Sequence, residues 1–420
     1  MTAGAPSARR YPFGPPERLD LHPGYSLLRS SEPVSRVRLP FGGEGWLVTR
    51  YEDVKTVLAD PRFSRAEAAG RDIPRTRPQP AKATSIIAMD PPEHTRVRSL
   101  IAKEFTARRA ERWRARATRV AHGLLDGIQN RGAPGDLVEQ YAQPLSITVL
   151  LEVLGVAHHD HPALIAAART VLATTSHTDG QITAARRELA DHMGSLIQER
   201  RDRPAGGLAA GDRPAGDRPA GDRPADDLLG GLVAARDAQG RLTEGELIDL
   251  AVTLMVVGWE TTACQIANFA YVLLSRPAQL DWLRRRLDRI EPAVEELLRF
   301  TPMPAAAEFA RVATRDVEVG GVLIRRGEAV LFALPSANRD ATVFRSPDVL
   351  DLARRGEQHL AFGHGPHRCV GAQLARMELQ VALSCLLGRF PELRLAVPGQ
   401  DVPWRIGSAL RSPTRLLVRW

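Results

Sequence analysis

The most constraining stretch of the 420-residue chain is the decapeptide Phe362 to Gly371, FGHGPHRCVG, in which one cysteine ends a glycine-rich loop and directly precedes an apolar helical pattern. The N–H groups of that helix's first turn then point toward the Cys369 sulfur. Those N–H groups and the helix dipole favour an anionic thiolate, the form that ligates a metal. Gly363 and Gly365 let the backbone approach a flat partner closely. His367 and Arg368 add donors beside the anion. The other two cysteines, Cys264 and Cys385, lack this context and read as small buried hydrophobes. Three scattered cysteines make no disulfide framework and no zinc motif.

Composition narrows the class without naming it. With 44% hydrophobic and 25% charged residues the chain reads as an ordinary globular protein. The formal charge of +8, from 57 Lys+Arg against 49 Asp+Glu, invites a nucleic-acid reading. The basic residues are scattered Arg with few aromatics among them, so that reading is set aside for a solvated surface with one positive face for an acidic protein partner. Met1 to Asp20 is rich in Pro, Gly and Arg and lacks the apolar run of a signal peptide or anchor, which predicts a soluble, cytoplasmic protein.

Periodicity predicts a mainly α protein with small β-sheets. Gly45 to Thr49 reads as a strand and Tyr51 to Asp60 as an amphipathic helix, followed by an Arg- and Pro-rich loop to about Pro80. Helical spacing then runs from Pro91 to Arg201. Residues 202–225 contain GDRPA three times in tandem, a polar repeat that cannot bury a core and reads as a flexible insertion within one domain spanning 1–420. Thr243 with Glu246 forms a capping box, and a single long helix is predicted from there to about Ser275. Gly258, Glu260, Thr261 and Thr262 interrupt its apolar run, so it is not a membrane span. Short alternating runs between Ala305 and Phe332, split by Gly320-Gly321 and Gly327, read as hairpins. A last helix runs from Gly371 to about Arg389.

The decapeptide matches every fixed position of F-G-x-G-x-H-x-C-x-G, and the chain thereby resembles the cytochrome P-450 family; Phe362, Gly363, His367, Cys369 and Gly371 stand in the motif. Three further motifs follow the family's order. Glu296 and Arg299 match E-x-x-R and sit on one helix face; the resemblance makes them structural supports of the cysteine loop, with Arg354, near Asp351, as third partner. Gly258-Trp259-Glu260-Thr261-Thr262 resembles the oxygen-activation segment. Activating dioxygen consumes protons, so the resemblance casts Thr261 and Glu260 as catalytic, Glu260 relaying protons from solvent. Val257 departs from the family's small residue there. His94 and Arg98 match H-x-x-x-R, and with Arg311 and His367 they are the expected partners of two propionates.

The resemblance covers nearly the whole chain, from about Arg18 to Trp420. It implies the single α-rich P-450 fold, a haem b (iron protoporphyrin IX) whose metal ligand is Cys369, and oxidation of a hydrophobic small molecule in natural-product biosynthesis. Hydroxylation, epoxidation and oxidative aryl coupling all remain open. Val257, Ala305, Ala306, Ala307 and Phe309 are the expected substrate pocket. No flavin or dinucleotide motif is present, so electrons are expected from a ferredoxin and its reductase, with O2 as oxidant. A haem gas sensor or carrier is the alternative, disfavoured because a sensor needs no acid and alcohol pair.

Overall fold

Thr243 starts the longest apolar run of the molecule. Its hydroxyl accepts the Glu246 amide while the Glu246 carboxylate accepts the Thr243 amide, the reciprocal cap expected from the sequence. The computed structural model describes residues 8–14, 17–80, 82–156, 161–202, 227–307, 309–356 and 358–420; the GDRPA repeat lies outside them. The predicted single helix is two: Glu244–Gly258 and Glu260–Leu274, interrupted at Trp259. Side-chain hydroxyls claim the carbonyls at this point. Thr261 Oγ1 donates to the Val257 carbonyl at 2.9 Å and Ser146 Oγ to the Trp259 carbonyl at 2.9 Å, a competition that bends helices. Gly258 fits because a Cβ there would come within 2.9 Å of the Leu150 methyls.

The Glu244–Leu274 stretch is long and apolar enough to cross a membrane, yet 61% of its most apolar window is buried inside the protein. It is the axis of the largest core cluster. The helices Gln143–Leu154 and Ala372–Arg389 pack on its second half, and Ala107–Arg131 packs in turn on Ala372–Arg389. Ala110, Ala117 and Ala121, with Leu125 and Ile128, form the buried stripe of Ala107–Arg131; the small side chains permit close approach.

A six-stranded mixed sheet covers one side of this helical body. Its order is Arg9–Arg10, Val34–Arg38, Glu44–Val48, Ala329–Phe332, Arg311–Ala313 and Phe63–Ser64. Trp46 and Arg311 both pair with Val330, and Phe63 pairs with Ala313. The sheet thus fixes Arg311 beside the chain that leads from Phe63 into Arg65. The hairpin Val317–Val319 and Val322–Ile324 turns at Gly320 and Gly321, with φ of +55° and +79°, the left-handed pair that a two-residue hairpin needs. A three-stranded sheet joins Gly135–Asp136, Arg394–Leu395 and Leu417–Arg419.

Candidate functional site

The cysteine loop is held by its own backbone. Cys369 N–H donates to the Phe362 carbonyl at 2.8 Å and Arg368 N–H to the Gly365 carbonyl at 3.0 Å. Gly365, at φ +70°, lies against the helix Tyr51–Ala59, where an added Cβ would meet the Leu58 carbonyl at 2.5 Å; no other residue fits. The helix Ala372–Arg389 leaves the loop directly after Gly371. Cys369 is accessible while neighbouring structure desolvates it. Burial pushes its thiol up, and the Gly371 N–H together with Arg98, Arg376 and Arg368 pull it down. Arg98 also donates to the Arg368 carbonyl at 2.5 Å, and Arg376 stacks 4.5 Å over the Phe362 ring.

Behind the loop each cation has an anion. Arg299 donates to both oxygens of Glu296 at 2.7 and 2.8 Å, both side chains being 2% exposed, and Arg354 Nε lies 3.0 Å from Glu296. Arg299 continues to the carbonyls of Asn338 and Pro347, and Arg354 to those of Arg345 and Val349. Asp351 contributes its backbone N–H to Glu296 at 3.0 Å. One residue earlier, Glu295 binds Arg376 at 2.7 Å and His359 at 3.1 Å, tying this knot to the helix that follows the cysteine. Glu295 and Arg376 escaped the sequence reading, since neither belongs to a motif.

In front of the loop the opposite holds. His94 and His367 lie ring to ring at 4.1 Å, and Arg65, Arg98 and Arg311 surround them. Desolvation, with mutual repulsion between Arg65 and Arg311, holds Arg65 down to about 9, and desolvation alone holds Arg311 down to about 10. Burial and the neighbouring cations likewise depress His94 to about 4 and His367 to about 2. Asp90 is the acid that opposes them, and it is already spent on Ser64 and the Arg65 and Ala66 amides. Arg311 Nε and Nη2 and Arg65 Nε are buried without a hydrogen-bond partner. Desolvated donors of one sign with unpaired N–H groups fit two carboxylates, and the accessible sulfur beside them fits an iron. The residues present therefore fit a haem.

The remaining predicted residues divide. Glu260 is fully buried. It pairs with Arg405 from the C-terminal loop and lies 3.6 Å from Arg169 Nε, while Arg169 stacks on Trp259. Thr261 is partly exposed and bonded back to Val257, itself exposed. Ala307 and Phe309 line a cavity of about 120 Å³; Val257, Ala305 and Ala306 do not. Ala306 instead packs in a small core with Tyr11 and Tyr25, and Ala305 N–H is bound to the Ala409 carbonyl.

The sequence profile described as "Cytochrome P450" matches residues 37–409. The chain belongs to the cytochrome P450 family. It is therefore a haem-thiolate enzyme of a monooxygenase family, binding iron protoporphyrin IX. This P450 is 52% identical to nocardicin C N-oxygenase of Nocardia uniformis subsp. tsuyamanensis, with 98% of each chain covered. It is 45% identical to mycinamicin IV hydroxylase/epoxidase of Micromonospora griseorubida over the whole of both chains. The crystal structure of HinD with NMFT and NO superposes with a TM-score of 0.92, at 46% identity over 99% of this chain and 100% of that one. Relatives of this P450 are natural-product tailoring enzymes.

Proposed function

We propose that this P450 oxidises a hydrophobic small molecule in natural-product biosynthesis, with Cys369 as the residue whose thiolate would hold the haem iron. The bound haem supplies the redox and oxygen chemistry, which a thiolate ligand makes strongly oxidising. His94, Arg98, Arg311 and His367 would hold the propionates, and Arg65 would join them. Glu296, Arg299 and Arg354, with the glycines of the loop, fix the sulfur's position. Thr261 presents its hydroxyl where the long helix is broken. Glu260 supplies protons behind it once its arginine partners release it. Val257, Ala307 and Phe309 shape the substrate's space, and Ala305 and Ala306 act behind them. Electrons come from a cytosolic ferredoxin and its reductase, drawn by the chain's positive charge.

The carrying observation is the juxtaposition of an accessible Cys369 with desolvated, unpartnered donors of Arg65 and Arg311. Cys369→Ala tests it. The variant, purified with haem, should lose the thiolate-type absorption of the reduced carbon monoxide complex. An unchanged spectrum would overturn the assignment.

A further inference from the structure

The cavity of about 120 Å³ that Ala307 and Phe309 line is bordered by apolar residues, including Leu331, and by four arginines, Arg65, Arg75, Arg77 and Arg186. These arginines are not equivalent. Arg75 is satisfied by Asp72 at 2.5 Å and by the carbonyls of Ile73 and Pro78. Arg65 belongs to the cluster around His94 and His367. Arg186, from the helix Asp179–Asp202, makes no hydrogen bond or ion pair among the described residues, and its Nε is buried without a partner. The groups whose charge reaches it are Arg77, which opposes its own, and Asp249, which favours it. Asp249 is already engaged by Lys82 at 2.5 Å and by Thr84. A half-buried guanidinium whose Nε is shut off from water with no acceptor costs stability, and an anion that arrives from elsewhere would recover that cost.

The helix that carries Arg186 is tied to the loop beside it. Gln79 donates to the Asp179 carbonyl at 3.1 Å and to Thr183 Oγ1 at 2.9 Å, which ties the loop under the cavity to the helical turn just before Arg186. None of the cations clustered at His94 and His367 acts on Arg186, so it stands apart from the donors assigned to the propionates.

We propose that the substrate of this P450 carries a carboxylate and that Arg186 receives it, while the apolar remainder lies along Ala307, Phe309 and Leu331. The planar fork of a guanidinium matches a carboxylate with two parallel hydrogen bonds, which gives orientation as well as attraction. An amphipathic acid is thereby held by its charged end at the cavity and presents its far end for oxidation. This inference rests on the haem-thiolate reading and on Ala307 and Phe309 as substrate surface.

The test uses the haem-loaded enzyme and a series of N-imidazolyl alkanoic acids of increasing length, each paired with its methyl ester. Affinity is measured by calorimetry and, in parallel, by the Soret shift. In the wild type the best-fitting acid should bind roughly tenfold tighter than its ester, the worth of one charge-assisted hydrogen-bonded pair. Arg186→Gln should abolish that advantage and leave the ester's affinity unchanged; Arg186→Lys should keep part of it. Equal binding of acid and ester in the wild type, or an advantage that survives in Arg186→Gln, overturns the proposal. So does an equal loss for acid and ester, which marks a structural arginine. Plain imidazole separates the two readings: if it fails to shift the Soret band the haem assignment falls, while calorimetry still decides the carboxylate preference.

Discussion

The two sides of the cysteine loop use the same residue types to opposite ends. Behind it, Arg299 and Arg354 converge on the buried Glu296, and several of their remaining donors find backbone carbonyls. In front of it, Arg65 and Arg311 are equally removed from water and keep buried N–H groups without acceptors. Cations that share a buried anion of their own form a scaffold, because each would lose by moving away from it. Cations whose neighbouring acid is already engaged form a receptor, because their cost is recovered only when a ligand of opposite charge binds.

The largest expected effect breaks the scaffold. Glu296→Gln removes the anion that two buried arginines share, and breaking such a pair leaves an uncompensated charge worth about 3–5 kcal/mol. Chemical denaturation should show a loss of that size. A loss under about 1 kcal/mol would mean that the backbone carbonyls alone satisfy Arg299. The receptor side should respond in the reverse sense. Arg311→Met deletes a desolvated cation and should leave the haem-free chain no less stable, or more stable by up to about 2 kcal/mol. The same variant should release haem to apomyoglobin at least about tenfold faster. If haem-free stability fell as far as in Glu296→Gln, the two sides would not differ in kind.

What the sequence shows on both sides is what stands in a local pattern, and what it hides is what the fold brings together from far along the chain. Glu296 and Arg299 lie one helical turn apart, and the loop around Cys369 is ten contiguous residues, so local spacing is enough to find them. The partners of Glu260 are Arg405 and Arg169, 145 and 91 positions away. Nothing near Arg169, Arg186 or Arg405 distinguishes them in a chain with 57 Lys and Arg. Arg65 follows Phe63–Ser64, a strand too short to be seen by alternation, and becomes meaningful only because that strand pairs with Arg311–Ala313. The interruption at Trp259 was half legible. Gly258 and the polar triplet were visible in sequence, but the Ser146 hydroxyl that takes the Trp259 carbonyl comes from another helix.

Acid should take the two sides apart in order. His94 is held neutral in the folded chain, with its pKa down at about 4 from an ordinary 6.5, so the unfolded chain binds a proton first as pH falls. Its contribution is therefore present above about 6.5 and is lost between there and about 4. Glu295 is desolvated but held ionised by His359 and Arg376, which brings it to about 2 from an ordinary 4.5. Its contribution is present above about 4.5 and disappears only as pH falls toward 2. His367, depressed further by the same burial and cations, loses its contribution from about 6.5 on down toward 2. Denaturation of the haem-free chain across pH should show the loss between about 6.5 and 4.5 reduced by His94→Gln and removed when His367→Gln is added, and the loss below 4.5 reduced by Glu295→Gln. A single loss confined below pH 4.5 in the wild type would contradict the assignment of a neutral His94.

The smallest effect on stability should come where the receptor meets the substrate cavity. Phe309 sits at φ +58°, a conformation costly for an aromatic residue; the residue is 45% exposed and its ring lies 5.4 Å from the Arg65 guanidinium. Phe309→Gly relieves about 1–2 kcal/mol of backbone strain and gives up a similar amount in chain entropy and the cation–π contact, so stability should change by less than about 1 kcal/mol. Binding of an apolar imidazole ester should nevertheless weaken, because the wall of the cavity is gone. A core aromatic behaves otherwise: Phe63, 1% exposed on the neighbouring strand, should cost about 3–5 kcal/mol on truncation to alanine. If Phe309→Gly costs as much as Phe63→Ala, the strained ring is a structural wedge. If it costs almost nothing and ligand affinity still falls, the chain tolerates strain at this position for what the ring does to the bound molecule.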